Sequence, residues 1–333
     1  MISELLSHGL LLMATITATL SLAIIQILLS SGLGWRIVDQ PNHRSLHSRP
    51  IPRIGGLVIL PVSMLVLAMS PMLGGHTQDW PLLAALLALY LVSLLDDIRG
   101  LSAASRLLAQ LAAALLWISF DLASWPLWLQ AGAVLLTVAM ANFFNFMDGA
   151  NGLAGGMALF GFAGLAWVAP PTLLPYCLVM AAAAAAFLCF NFDPAKIFLG
   201  DAGSIPLGFL AAALGLLGWQ QQAWPLATPL LAFLPFWGDA LVTLIRRGLR
   251  GEKVWQAHRE HYYQRLIQLG WGHRRTALSY YLLMLCCAAS AVVAASWPAL
   301  GWALLFIFMA LAALLMRQVD QLWLAHTLQC RHA

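Results

Sequence analysis

The sequence predicts an all-α, polytopic membrane protein of about eleven spans, with its N-terminus outside and its C-terminus inside. Three observations predict it: the balance of apolar to charged residues, the spacing of the apolar runs, and the placement of the cations between them. Of the 333 residues, 62% are apolar and only 9% charged, where soluble domains carry about 25% charged residues. Mean hydropathy is +0.83. A water-soluble core of this size has no room for so much apolar surface. A bilayer accepts it, and helices satisfy their own backbone while crossing.

The apolar runs place spans near 5–33, 55–73, 81–95, 107–120, 125–142, 153–169, 173–190, 205–219, 225–245, 277–297 and 299–316. Several are shorter than the ~20 residues a crossing helix needs, so their ends draw on the flanks. Charge tests the count. With alternating sides, the inside segments are 34–54, 96–106, 143–152, 191–204, 246–276 and the C-terminal tail. They hold 4, 2, 0, 1, 8 and 2 Lys or Arg, which is all 17 in the chain. That is the separation the positive-inside rule describes. The formal charge of +4 is small beside this asymmetry. The five Cys lie mostly in apolar runs without a CxxC and read as small apolar fillers. The N-terminus lacks a cationic n-region and reads as a retained first span. The whole of 1–333 reads as one integral membrane domain.

The inside segments carry the chemistry. The first runs from Asp39 through His43, Arg44, His47, Arg49 and Arg53 to Gly55-Gly56. It reads either as an anchor for anionic headgroups or as a lid over a phosphate. The second opens with Asp96-Asp97, an acid pair at the end of an apolar helix, which is costly near lipid. Metal binding, proton transfer and simple solvation at a helix end remain open there. The third places Asn142, Asn145, Asp148 and Asn151 at steps of three, on roughly one helical face, with glycines between them. The fourth carries Asn191, Phe198 and a Gly-Asp201-x-Gly-Ser204 turn, read as a helix cap or as a cation held against a diphosphate. The fifth and longest holds His258-Arg259-Glu-His261 and Arg265 among eight basic residues. A His pair one turn apart in that setting suggests an anion site. Zinc is the weaker reading, since no Cys or third His lies nearby. Asp239, inside a predicted span, is either a functional acid or an intramembrane polar pair.

These five blocks, in this order, resemble the polyprenyl-phosphate N-acetylhexosamine-1-phosphate transferase family over about residues 35–275. That family includes phospho-N-acetylmuramoyl-pentapeptide transferase. It also includes the enzymes that initiate O-antigen, enterobacterial common antigen and teichoic acid linkage assembly. The segment from Ala257 to Arg265 looks most like the O-antigen-initiating branch.

The resemblance implies transfer of a sugar 1-phosphate from a UDP-N-acetyl sugar, 6-deoxy forms included, to undecaprenyl phosphate. UMP is released, and lipopolysaccharide or a related envelope glycan is begun. It implies Mg²⁺, with Mn²⁺ as a substitute, and a cytoplasmic-face site in a bacterial inner membrane. It permits a homodimer and gives no place to a nucleic acid. By the same resemblance Asp201 is the metal ligand, with Asp96 and Asp97 beside the metal and the lipid phosphate as base, neighbour or nucleophile. Asn142, Asn145 and Asp148 position substrate, and Asn151 faces the nucleotide. Asn191 and Phe198 hold uracil, Phe198 by stacking. His258 and His261 bind phosphate or sugar, with Arg53, Arg259 and Arg265 as anion contacts.

The chain departs from the family at two points. Many bacterial members read Asp-Gly-x-Asp-Gly where this chain has Asn151, and an amide still donates and accepts. Gly100 stands where the peptidoglycan enzyme has a lysine. The rival reading is a transporter or lipid-linked-intermediate flippase. Transporter sites lie near the midplane, whereas these residues collect at one interface.

Overall fold

The computed structural model describes residues 2–41, 46, 49–73, 79–256 and 258–332. Those residues form an almost wholly helical chain. The helices are α1 (Ile2–Ser30), α2 (Gly55–Ala68), α3 (Trp80–Arg99), α4 (Ala103–Asp121), α5 (Leu127–Phe146), α6 (Leu153–Val168) and α7 (Leu174–Asn191). They continue with α8 (Asp201–Gln220), α9 (Ala227–Ala232), α10 (Leu234–Leu249), α11 (Tyr262–Leu266), α12 (Gly272–Ser296) and α13 (Pro298–His332). A two-residue antiparallel ladder pairs β1 (Val38–Asp39) with β2 (Ile51–Pro52). His43, Arg44 and His47 of the expected lid lie outside the described residues.

Among the described residues, eight helices are long and apolar enough to cross a membrane. The expected runs at 55–73 and 153–169 fall on the shorter apolar helices α2 and α6. The run at 225–245 is not one helix. It breaks at Phe233 into α9 and α10, because Pro235 has no N–H to give the Leu231 carbonyl. Trp237 Nε1 donates to the Leu230 carbonyl at 2.8 Å, which satisfies a group left near the break. The last expected span, 299–316, instead continues as helix to His332.

The centre of the bundle is α8, buried along almost its whole length and packed on α2, α3 and α5. Its small residues permit that crowding. A Cβ on Gly208 would meet the Met140 carbonyl at 2.3 Å, and one on Gly56 would meet Gly203 N at 2.3 Å. Around this core α7 packs on α1 and α6, and α12 packs on α6 and α9.

Polar contacts gather at the two ends of the helices. At one end Gln220 Nε2 donates to the Asp121 carbonyl at 2.8 Å, and the Asp79 amide donates to Tyr176 Oη at 3.1 Å. At the other end lie the C-termini of α3, α5 and α7, the N-terminus of α8 and the long loop before α11. All five chemistry-bearing segments therefore reach the same end of the bundle.

Candidate active site

The site begins with how α8 is started. Gly200 has φ +75°, and a Cβ there would lie 2.7 Å from Asp97 Oδ2. Only glycine tolerates both the backbone and the neighbour. Asp97 then accepts the Asp201 amide on Oδ1 at 3.1 Å and the Ala202 amide on Oδ2 at 2.9 Å. A carboxylate from α3 thus caps the first free N–H groups of α8, where the helix dipole also favours negative charge. Arg53 Nη1 lies 3.6 Å from the same carboxylate and pairs its other end with Asp39.

With α8 held this way, Asp201 meets residues from α4 and α5. Asn145 Nδ2 donates to Asp201 Oδ1 at 2.9 Å and to Ser204 Oγ at 3.0 Å. Arg106 Nη1 lies 3.2 Å from both Asp201 Oδ2 and Asp96 Oδ2. Asp96 Oδ1 also accepts the Leu101 amide at 2.5 Å. Asp148 sits in the turn after α5, where its amide donates to the Asn145 carbonyl at 3.2 Å. Its carboxyl is pushed well above the usual carboxylate range, first by burial, then by the charges of Asp201 and Asp97. Four carboxylates therefore share one small region with two guanidinium groups.

Does that region suit a divalent cation? Among the described residues no three His, Cys, Asp or Glu side chains form a ready-made cage. Mg²⁺ does not require one, because it takes one or two carboxylates together with substrate phosphates and water. Asp96 and Asp201 present oxygens from different helices to a single positive centre, now the Arg106 guanidinium. A hard-oxygen donor set already gathered around positive charge fits Mg²⁺ or Mn²⁺.

A cleft of about 740 Å³ lies against the same end, lined in part by Arg49, Pro52, Asn151, Lys196 and His273. Chain continuity joins it to the acids, because Pro52 precedes Arg53 and Asn151 follows Asp148 by one turn. The backbone beneath it is tightly knit. The Phe198 amide donates to the Pro52 carbonyl at 2.7 Å, and Gly55 and Gly56 return hydrogen bonds to Phe198 and Leu199 at 2.9 and 2.8 Å.

The long loop closes from a third side. Asp239 of α10, fully buried, accepts the Tyr262 and Tyr263 amides at 2.9 and 3.1 Å and Tyr280 Oη at 2.7 Å. Asp239 also lies 3.4 Å from His261 Nδ1. The intramembrane acid is thus a cap for α11 that also orients a histidine. Tyr263 Oη donates to the Phe146 carbonyl at 3.0 Å, and His261 stacks at 6.0 Å on Phe146. This brings the His loop onto the turn that carries Asp148. His258 and His261 lie ring to ring at 4.8 Å. His258 is pulled down to about 4, first by burial and then by His261 and Arg247. It is therefore neutral at pH 7. Its Nδ1 accepts the Glu260 amide at 3.2 Å, which leaves Nε2–H as a donor.

The structure brings together Asp96, Asp97, Asp148, Asp201, Asn145 and Arg53, with His258 and His261 alongside. It places the remaining expected residues differently. Asn142 pairs with Gln110 of α4 at 2.6 Å and ties α4 to α5. Asn191 is engaged at both ends of its amide, accepting from Gly152 N and donating to Ile197 O, each at 2.9 Å. It ties the turn before α6 to the segment before α8. Arg265 is turned to α13, where it pairs with Asp320 at 2.9 Å, and it also reaches Glu260 at 3.2 Å. Arg259 is half-buried, its carbonyl accepting from Gln268 at 2.9 Å. Phe198 is half-buried beside Gly200. Sequence reasoning does not name Arg106, which lies between Asp96 and Asp201, or Lys196, which lines the cleft. Each is a lone charge without a motif of its own.

Fold and site together define a multi-pass, all-α membrane protein with an acidic, cation-ready site at one polar end. The chain belongs to glycosyl transferase family 4, whose model matches residues 80–218. It is 30% identical over 264 residues to the probable undecaprenyl-phosphate N-acetylglucosaminyl 1-phosphate transferase of Bacillus subtilis, covering 73% of each chain. It is 28% identical over 304 residues to the decaprenyl-phosphate N-acetylglucosaminephosphotransferase of Mycobacterium tuberculosis, covering 76% of this chain and 74% of that one. A phospho-N-acetylmuramoyl-pentapeptide-transferase of Synechococcus is 31% identical over 228 residues, covering 58% of this chain and 60% of that one.

Proposed function

We propose that this protein transfers an N-acetylhexosamine 1-phosphate from a UDP-sugar to undecaprenyl phosphate, releasing UMP at the cytoplasmic face of a bacterial inner membrane. The observation that carries it is the meeting of Asp96, Asp201, Asn145 and Arg106 beside a cleft lined by Arg49 and Lys196. In this reading the cleft takes the nucleotide, and the carboxylates lie where the diphosphate meets the lipid phosphate. The names of the three relatives support the reaction class. Initiation of O-antigen or another envelope glycan is the corresponding role, with N-acetylglucosamine, N-acetylgalactosamine and 6-deoxy sugars all admissible. The chain acts as a single catalytic domain.

The chemistry is one displacement at phosphorus. An oxygen of the lipid phosphate bonds to the β-phosphorus of the donor, the bond to the bridging oxygen breaks, and UMP leaves with the electron pair. Positioning and charge stabilisation dominate such reactions. Asp201 and Asp96 are the residues that would hold Mg²⁺, which would supply charge neutralisation at the diphosphate when bound. Arg106 and Arg53 add fixed positive charge, and His258 offers Nε2–H to a phosphate oxygen. No base is required, because a phosphate monoester with a second pKa near ~6 is already mostly dianionic at neutral pH. The capping role of Asp97 supports this scheme. Both its oxygens hold backbone N–H groups of α8, an arrangement suited to organising the site rather than attacking phosphorus.

The test is a panel of UDP-N-acetyl sugars offered to the detergent-solubilised protein with undecaprenyl phosphate, following UMP with and without Mg²⁺. Metal-dependent UMP from at least one donor is expected. A folded protein that yields none from any donor refutes the assignment.

A further inference from the structure

Asn151 is held from two sides. Its backbone N–H donates to His273 Nδ1 at 3.2 Å, and its side-chain Nδ2 donates to Asp193 Oδ1 at 2.7 Å. A carboxylate only accepts, so Asp193 decides which way round the amide sits. With Nδ2 turned to Asp193, the carbonyl Oδ1 is the end left over. Asn151 lines the 740 Å³ cleft together with Lys196, Arg49 and His273. Asn151 is 8% exposed, and that exposed part faces the cleft it lines. The cleft thus receives one fixed hydrogen-bond acceptor, flanked by cations.

We propose that Asp193 is a specificity-determining residue that fixes the Asn151 amide as an acceptor for the N3–H of uracil. This rests on the cleft being the nucleotide site. Uracil carries a proton on N3 and cytosine a lone pair, so a fixed acceptor opposite N3 bonds one base and repels the other. A free amide turns over and serves either, because its two ends are nearly equal in size. Asp193 prevents the turn. The pair also explains how a chain with Asn at position 151 keeps an acceptor there. The negative charge stands across the loop on Asp193, and the neutral amide passes on its orientation.

The experiment measures binding of UMP and CMP to the full-length protein in detergent by calorimetry. The unmodified protein is expected to bind UMP more tightly than CMP. Asp193→Asn frees the Asn151 amide and lowers UMP affinity by about tenfold, the loss of one hydrogen bond of ordinary net strength. CMP affinity stays level or rises, so the ratio narrows. The exchange Asn151→Asp with Asp193→Asn puts a carboxylate on the cleft and its donor behind it, and restores the preference. A merely structural Asp193 would weaken both nucleotides equally. An unchanged UMP-to-CMP ratio in Asp193→Asn, or no restored preference in a folded exchange variant, overturns the proposal. If Asp193→Asn does not fold, the exchange variant decides. If the unmodified protein binds neither nucleotide, the nucleotide reading itself fails and the proposal falls with it.

Discussion

Single residues set the electrostatics of this site, and Asp201 is the sharpest case. It touches both Asn145 and Arg106, and its own amide is held by Asp97. Asp201→Asn keeps the shape and the Asn145 contact but removes a charge from the metal side. Turnover should fall by at least about a thousandfold if Asp201 is a metal ligand. UMP binding should change by less than tenfold. Near-normal turnover at saturating Mg²⁺ would remove Asp201 from that role. Much of this cluster is legible in sequence, because Asp96-Asp97, Asn145-x-x-Asp148 and Gly200-Asp201 are compact and chemically unusual. Arg106 and Asp193 are not legible. Asp201 lies 95 residues from Arg106, and Asn151 lies 42 from Asp193; no spacing rule spans those distances.

At the scale of elements, the decisive piece is the loop between α10 and α12, anchored from an unexpected side. Helix α13 has 35 residues, roughly 50 Å at about 1.5 Å each, which exceeds the ~30 Å of hydrocarbon. The surplus turns carry Asp320, which accepts from Arg246 at 2.5 Å, Arg265 at 2.9 Å and Tyr262 Oη at 3.3 Å. Tyr262 opens α11 directly after His261, so Asp320 fixes the end of the helix that aims the His pair. Asp320→Asn should cost the loop about 1.5–3 kcal/mol of charge-assisted hydrogen bonding. Trypsin should then cut faster at Lys253 or Arg259, with turnover about tenfold lower and Asp320→Glu partly restored. Equal cleavage rates would show that the loop does not depend on α13. Hydropathy finds every apolar run but misses this contact, since it counts residues rather than partners. The break at Phe233 escapes it for the same reason, although Pro229 and Pro235 flank it in plain view. Asp239 looks like an acid stranded in a span until α11 is seen to need a cap.

For the molecule as a whole, the argument concerns sidedness. All 17 Lys and Arg fall in the segments that the sequence reading assigns to one side. The contacts of Arg53, Arg106, Arg246 and Arg265 place those four at the polar end that holds the carboxylates, with Arg49 and Lys196 in the adjoining cleft. The opposite end has amide, hydroxyl and Asp79 contacts and none of these cations. Cations near a membrane are retained on the cytoplasmic side. One face therefore meets both requirements of the proposed reaction: a charged soluble donor must arrive from water, and the acceptor phosphate lies at the lipid surface. A UDP-sugar does not cross a sealed bilayer, so vesicle orientation separates the two sides. Inverted vesicles containing the protein and undecaprenyl phosphate should release UMP from added donor. Right-side-out vesicles should release it only after permeabilisation, to a similar final rate per protein. Activity in sealed right-side-out vesicles would place the acidic end outside. The cation distribution would then reflect contacts within the protein rather than orientation in the membrane.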